Sequence, residues 1–363
     1  MTHSGAGQDS QPIRAPRSPV AAESLVQQVN RDWALYRELG LDFAKGDEHT
    51  GFWNRRFQKH TDRLGANGSV IHPDLLDTFR GTMVCVGDNP KPTSRGLRSL
   101  LGRYRGERRM LRRCLEILKE NGYQGLLRKY PCHPAGGPEV FETEGYRYTH
   151  RWIKHVYLVG LLNRVLGERL PPGFTAVDIG SSYGVFSSLL FQEYPGSHHV
   201  LVDLPEQLVF ARYFLSRCFP DARIAGPEEI GRADAITRDF LEQHDFVLVP
   251  PSLYEKIDSG AVDLITSFAC LGELKRSFFD YYLHAPVFRG ARYFYTANPV
   301  DSAAWVEDSK VTVLDYPILD ADKRLHFAIS PIFAFPYSLP NSRLVFGYRL
   351  KQFRPFFECI GEL

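Results

Sequence analysis

The sequence predicts an α/β fold. It should hold a mostly parallel, Rossmann-like sheet covered on both faces, with the last strand antiparallel and a helical segment in front of it. Two observations carry that expectation. Short apolar runs alternate with stretches of helical apolar spacing from about residue 175 onward, the pattern of strands crossing over through helices. The first of these runs, Thr175-Ala-Val-Asp-Ile179, passes directly into the small-residue turn Gly180-Ser-Ser-Tyr-Gly184 and then into the helical run Val185-Phe-Ser-Ser-Leu-Leu190. The expected organisation is a disordered tail over 1–20, a helical N-terminal domain over 21–135 and the sheet domain over 136–363.

A strand, a tight turn and a helix start aim backbone N–H groups at whatever sits above the strand end. Such a turn can serve a dinucleotide, a phosphate or S-adenosylmethionine. The dinucleotide fingerprint would place glycines where Gly180, Ser182 and Val185 stand, so two of three are missing. A phosphate loop would need a Gly-Lys-Ser/Thr step, and the turn has no lysine. The spacing that fits is acid-x-Gly-x-small-x-Gly, formed by Asp178, Gly180, Ser182 and Gly184. It resembles motif I of class I S-adenosylmethionine-dependent methyltransferases, with Ser182 where the middle glycine is usual. The resemblance implies S-adenosylmethionine as cofactor, held by Asp178, Gly180, Ser181, Ser182, Tyr183 and Gly184. An ordinary strand–turn–helix is the alternative at this point.

The next apolar run, His198-His-Val-Leu-Val202, ends in Asp203-Leu204-Pro205. A carboxylate at that strand tip suits the two hydroxyls of an adenosine ribose, with Leu204 beside it. Asp203 also reads as the N-cap of the helix that follows, and the two roles are compatible.

Upstream, Glu23–Asn30, Trp33–Phe43 and Pro73–Arg80 have helical spacing. The turn 87–92 separates them from a basic helix pair over about 94–129. The arginines of 95–113 suit a phosphate or carrier, but an interleaved leucine stripe equally makes them the solvated face of an amphipathic helix. Gly136-Gly-Pro-Glu-Val-Phe-Glu-Thr-Glu-Gly-Tyr146 interrupts the pattern and marks the domain boundary. A helix over about 149–166 then precedes the first core strand. In class I methyltransferases such a helix often roofs the cofactor cleft, which implies ligand-facing roles for His155 or Tyr157; a packed or capping histidine is the plain alternative.

Further strands are expected at Asp245–Pro250, Val262–Phe268 and Ala291–Ala297, with a final pair at Leu325–Ile329 and Arg343–Leu350. The irregular span 219–243 leaves room for a helical insertion. A ligand should lie beyond the strand carboxyl ends at the topological switch point, where Asp178, Gly180, Asp203, Ser267 and Asn298 fall.

Several motifs together are similar to those of the sugar O-methyltransferases of bacterial natural-product and surface-glycan pathways. They are Gly137-Pro138, Ile179–Gly184, Val202–Pro205, the segment Ala269-Cys-Leu-Gly-Glu-Leu274, the pair Tyr281-Tyr282, and a strand ending in Asn298. The likeness spans about 136–300. Cys270, Leu271 and Leu274 depart from the family pattern on the acceptor side. The resemblance implies a small-molecule acceptor, a sugar or glycoside, approached by Tyr157, Cys270, Tyr282 and Asn298. Methyl transfer to a hydroxyl is helped by a positioned base. Glu273 is the first candidate, with His155 and His284 as others; an acid stabilised by a helix dipole is the competing reading of Glu273. Two rivals stay open: a methyltransferase acting on a non-sugar natural product, and a non-catalytic subunit of the same fold.

Composition narrows the classes. A net charge of +2 over 363 residues does not suit a dedicated nucleic-acid binder. No apolar run has membrane-spanning length, and the start lacks a signal-peptide pattern. The six cysteines show neither CxxC pairs nor metal spacing and read as reduced thiols of a cytoplasmic protein. No metal is expected. The expected partner is a small molecule, without nucleic acid or membrane, and a homo-oligomer is compatible with the sequence.

Overall fold

The computed structural model describes residues 19–39, 70–82, 88, 97–301, 311–333, 335–338, 344–345, 348–349 and 351–363. Strands β1 (Phe141–Thr143) and β2 (Tyr146–Tyr148) form a hairpin inside the expected boundary segment. The main strands follow: β3 (Thr175–Ile179), β4 (His198–Val202), β5 (Ile224–Ala225), β6 (Phe246–Val249), β7 (Leu264–Phe268), β8 (Tyr293–Pro299) and β9 (Arg324–Ile329). Four short strands come next, β10 (Phe335–Ser338), β11 (Leu344–Val345), β12 (Tyr348–Arg349) and β13 (Lys351–Arg354), and then β14 (Phe356–Glu362).

One eight-stranded sheet runs in the order β5-β6-β4-β3-β7-β8-β14-β9. From β5 to β8 every neighbouring pair is parallel, whereas β14 is antiparallel to both β8 and β9. That is the Rossmann-like, mostly parallel sheet with an antiparallel last strand expected from the sequence. One expected strand is misplaced. Within Arg343–Leu350 the described residues form the short β11–β12 pair, and the antiparallel strand inserted beside β8 is β14. Phe356 and Ile360 pack on one face and Phe357 and Cys359 on the other, but Glu358 breaks the run and hides it from a periodicity reading. The span 219–243 does hold a helical insertion, two short helices described below, together with β5.

The helices are α1 (Pro19–Glu38), α2 (Pro73–Thr82), α3 (Leu97–Glu120), α4 (Gln124–Lys129), α5 (His150–Leu166), α6 (Val185–Glu193), α7 (Pro205–Cys218), α8 (Pro227–Arg232), α9 (Arg238–Glu242), α10 (Arg276–His284) and α11 (Pro286–Gly290). Successive residues of a buried strand face opposite layers. On β4, Leu201 joins the apolar layer of α5–α7, while Val200 and Val202 join that of α10 and α11.

The helical N-terminal segment shares this core instead of closing one of its own. Val29, Trp33, Phe79 and Leu115 belong to the same apolar cluster as Leu201, Phe246 and Tyr295, so the boundary expected near residue 136 does not divide the core. Buried polar contacts reinforce the union. Asp32 of α1 accepts from Arg212 of α7 at 2.7 Å, and Asp88, paired with Arg80 of α2 at 2.7 Å, accepts from the Tyr183 hydroxyl. The Tyr36 hydroxyl also donates to the Leu248 carbonyl of β6 at 3.1 Å. Residues 1–18, and with them nearly all of the expected tail, lie outside the described residues, as does most of the turn 87–92.

Candidate functional site

The chain reverses its direction of travel across the sheet at β3, which pairs with β4 on one side and β7 on the other. The crevice beyond these strand ends is where such sheets place ligands. The turn leaving β3 is strapped to the tip of β4. Gly180 N–H donates to the Val202 carbonyl at 2.8 Å, and Ser182 N–H to Asp203 Oδ2 at 2.6 Å. Gly184 N–H turns back to Ser181 at 3.0 Å. The amides of Gly180, Ser182 and Gly184 therefore shape the turn itself, whereas the sequence suggests that several amides here are aimed at a ligand.

Glycine is required at both ends of the turn. Gly180 has φ +81°, and a Cβ there would lie 2.5 Å from the Cys270 sulfur; at Gly184, with φ +85°, it would lie 2.7 Å from Leu201. Ser182 holds φ +53° without being glycine, and so does Ala269 at φ +50°, just past β7. Left-handed backbone in ordinary residues costs of order 1 kcal/mol and clusters at functional sites. Both positions flank the same crevice.

Asp203 sits half-buried at the β4 tip, and its Oδ1 accepts the Leu204 N–H at 2.7 Å. A carboxylate offers about four lone-pair positions. Two are taken by backbone amides, which leaves acceptor capacity for a pair of hydroxyls. Burial pushes this carboxyl up to about 6, against the pull of the two amide hydrogen bonds. Asp203 is not the helix cap expected from sequence. Leu204 occupies the N-cap of α7, and Pro205 opens its first turn.

Asp178 is buried one strand over, accepting from the Thr266 hydroxyl at 2.9 Å. Burial pushes it up to about 7; the Thr266 bond opposes this and the Asp203 charge adds to it. Between these acids stands Cys270, whose side chain covers Gly180. Burial, then the charges of Asp203, Glu273 and Asp178, hold its thiol well above the usual range, so it is protonated at neutral pH and no nucleophile. Ser267 lies beside that thiol. Glu273 is 8% exposed in the one-turn helix Leu271–Glu273. The buried Tyr282 completes the group: burial and then the nearby Cys270 and Asp203 raise its phenol. The fold thus gathers Asp178, Asp203, Ser267, Cys270, Glu273 and Tyr282 at one place.

Other expected site residues lie elsewhere or are occupied. Asn298 uses its whole amide on the protein. Oδ1 accepts the N–H groups of Cys270 (3.0 Å) and Gly272 (3.1 Å), while Nδ2 donates to Ser267 O (3.1 Å) and Thr296 Oγ1 (2.6 Å). It clamps the turn carrying Cys270 and Glu273 instead of presenting a group to an acceptor. Tyr157 is buried and donates to Glu358 of β14 at 2.8 Å. The Tyr183 ring turns away from the crevice, with its hydroxyl bound to Asp88. His284 is exposed at the end of α10. His155 has Nδ1 2.8 Å from the Arg151 carbonyl and lies against Phe186, and burial drops it to about 3, so it is neutral at physiological pH and a weak base.

No protein-family model matches the chain, and no curated protein matches it. Solved structures that it resembles are methyltransferases. Phosphoethanolamine N-methyltransferase 2 of Haemonchus contortus, in complex with phosphomonomethylethanolamine and S-adenosylhomocysteine, is 15% identical over 42% of this chain and 30% of its own, at a TM-score of 0.27. A geranyl diphosphate methyltransferase in complex with GPP and sinefungin is 17% identical over 61% and 83%, at 0.36. Precorrin-6y C5,15-methyltransferase from Geobacter metallireducens is 13% identical over 57% and 87%, at 0.30. The matched region spans less than a third of the Haemonchus protein. Likeness this distant carries no argument of its own, and the fold is set by the strand order.

Periodicity missed the support behind the turn. Arg80 gives Nε and Nη2 to Asp88 (3.1 and 2.7 Å), Nη2 also to the Cys132 sulfur (3.1 Å), and Nη1 to the carbonyls of His133 and Ala135 (2.9 Å for Ala135). Burial alone would raise Asp88, but the Arg80 charge and hydrogen bonds from Arg80, Tyr183 and Thr149 hold it below its usual range. Thr149 donates to Asp88 at 2.7 Å while capping α5 through the Trp152 N–H at 3.1 Å. Nothing in the sequence joins position 88 to 183, 95 residues apart.

Among the described residues, no three His, Cys, Asp or Glu side chains gather as a metal site, and no helix is long and apolar enough to cross a membrane.

Proposed function

We propose that the chain is an S-adenosylmethionine-dependent O-methyltransferase acting on a hydroxyl of a sugar or glycoside. The observation that carries the reading is the pairing of the Gly180–Gly184 turn with the Asp203 carboxylate on the neighbouring strand tip at the switch point. The donor set fits the cofactor. Asp203 retains acceptor capacity for a ribose diol, the buried Ser181 hydroxyl in the turn has no hydrogen-bond partner, and Asp178 and Glu273 put negative charge beside the place a sulfonium and an ammonium need it.

When bound, the cofactor supplies an electrophilic methyl group. The protein's task is to hold the acceptor oxygen in line about 3–3.5 Å from that carbon and to exclude water. An aromatic wall begins at Tyr282, which lies near Cys270, and is backed by the rings of Tyr254 and Tyr281; its Tyr282 edge suits a sugar ring. Glu273, held by the Asn298 clamp, takes the hydroxyl proton as the new C–O bond forms. The sugar class is supported by the sequence resemblance; a non-sugar hydroxyl or amine is the second reading, since the same aromatic wall suits a planar acceptor.

Methyl transfer from labelled S-adenosylmethionine to a panel of nucleotide sugars, glycosides and phenols tests the assignment. Incorporation into the saccharide members is expected, and exclusive labelling of the phenols would replace the sugar class. On the active acceptor, Glu273→Gln should leave S-adenosylhomocysteine affinity within about twofold while turnover falls about 10²-fold or more. Full turnover in that variant would make Glu273 only a turn acid and put the base elsewhere.

A further inference from the structure

We infer that the outer edge of β9 is an interface between two copies of this chain, paired antiparallel about a twofold axis at Ala328. The inference is independent of the methyltransferase reading. β9 ends the strand order of the main sheet, and among the described residues no strand pairs with its far side. The backbone there alternates regularly. Ser330 N–H donates to the Phe356 carbonyl of β14 at 2.7 Å. By alternation the N–H and C=O of Ala328 also face β14, while those of Phe327 and Ile329 point outward. An open row of this kind is a template for another strand. The outward residues are apolar as well: Phe327 is 41% exposed and Ile329 59%. They share a sheet face with Phe357, on whose ring Phe327 stacks at 6.0 Å. Tyr316 packs against that same ring at 4.9 Å, and Leu314, 80% exposed, stands two residues before it. Edge strands are commonly blunted by lysine or proline. Here Lys323 and Arg324 stand at one end and Pro331 at the other, which leaves the middle of the edge unguarded.

The strand is complementary to itself in one register, which is why the occupant is a second copy. A twofold axis at Ala328 sets Phe327 opposite the partner's Ile329, and Ile329 opposite the partner's Phe327. Both are pairs whose outward N–H and C=O groups exchange hydrogen bonds, and aromatic on β-branched is a favourable cross-strand pair. On the axis the two small Ala328 side chains meet where paired strands come closest. His326 then faces the partner's Ser330, so no charge is set against its like. Other registers lose these features. An axis at Phe327 places Ile329 against Leu325, where the β9–β14 ladder is bulged. An axis at His326 sets that imidazole against its own copy. An axis at Ile329 brings Pro331, which has no N–H to give, opposite Phe327. The contact is isologous, the same patch serving both copies, and it closes as a dimer.

The test uses the full chain. Sedimentation velocity over a range of concentrations should show monomer passing to dimer. Ile329→Lys changes an exposed side chain and puts a charge into both cross-strand pairs, so it should weaken self-association about tenfold or more. Ala328→Cys reads the register. Under oxidised glutathione two copies should join through a disulfide, because the facing Cα atoms lie about 4.5 Å apart, within disulfide range. Phe327→Cys, whose two copies stand diagonally across the axis, should cross-link no faster than the wild-type background set by the native cysteines. A wild-type chain that stays monomeric at every concentration would overturn the inference. So would a dimer that Ile329→Lys leaves intact, which would put the interface on another surface. Cross-linking through Phe327→Cys without cross-linking through Ala328→Cys would overturn the axis at Ala328.

Discussion

Asp88→Ala should destabilise the folded chain by about 3–5 kcal/mol, because it leaves the buried Arg80 guanidinium without its counter-charge. Neither side chain of the pair is exposed to solvent, so water cannot replace the lost partner. The same change removes the acceptor of the Tyr183 and Thr149 hydroxyls. It therefore loosens the motif turn and the capped start of α5 together. Urea denaturation should show the loss as a lower midpoint. The double variant Arg80→Met with Asp88→Leu should cost much less than Asp88→Ala, since it removes both charges at once. A single variant within about 1 kcal/mol of wild type would mean that the pair does not hold these elements together.

The second large effect concerns the cofactor. Asp203→Asn removes the charge of the group proposed to accept two ribose hydroxyls. Each hydrogen bond to a charged group contributes about 1.5–3 kcal/mol, so affinity for S-adenosylhomocysteine should fall by roughly one to several powers of ten. The pH dependence follows from the raised pKa. Burial lifts the folded-state carboxyl to about 6, above its ordinary value of 3.8. Between those values the folded chain keeps a proton that the unfolded chain has lost, so this group's contribution to stability declines as pH rises through that window. Ligand hydroxyls favour the ionised form, so wild-type affinity should climb as pH rises through about 6 and level off above it. Asp178, raised to about 7, is coupled to it, and the titration observed belongs to the pair. Asp203→Asn should flatten the lower part of the profile. A wild-type affinity independent of pH between 5 and 8 would count against Asp203 as the ribose acceptor.

How much of this was legible in the sequence depends on the range of the forces involved. The strands β3, β4, β6, β7 and β8 are continuous apolar runs, and local pattern suffices for them. The Gly180–Gly184 turn and Asp203 were readable because positive φ and close approach restrict which residues can stand there. β14 was not, since Glu358 interrupts it and finds partners in Tyr157 and His326 only after folding. The same applies to Asn298. Its position at a strand tip was foreseeable, but its hydrogen bonds to Ser267, Cys270 and Gly272, about 30 residues earlier in the chain, form only once β7 and β8 pair. The shared core of helices and sheet was equally hidden, because amphipathic spacing shows that α1 and α3 must bury a face without saying against what.

The most direct test of the central claim is calorimetric titration of the purified chain with S-adenosylhomocysteine, S-adenosylmethionine and NAD. Both sulfur nucleosides should bind at a single site, each displacing the other, and NAD should neither bind nor compete. Tight binding of NAD with no response to S-adenosylhomocysteine would contradict the claim.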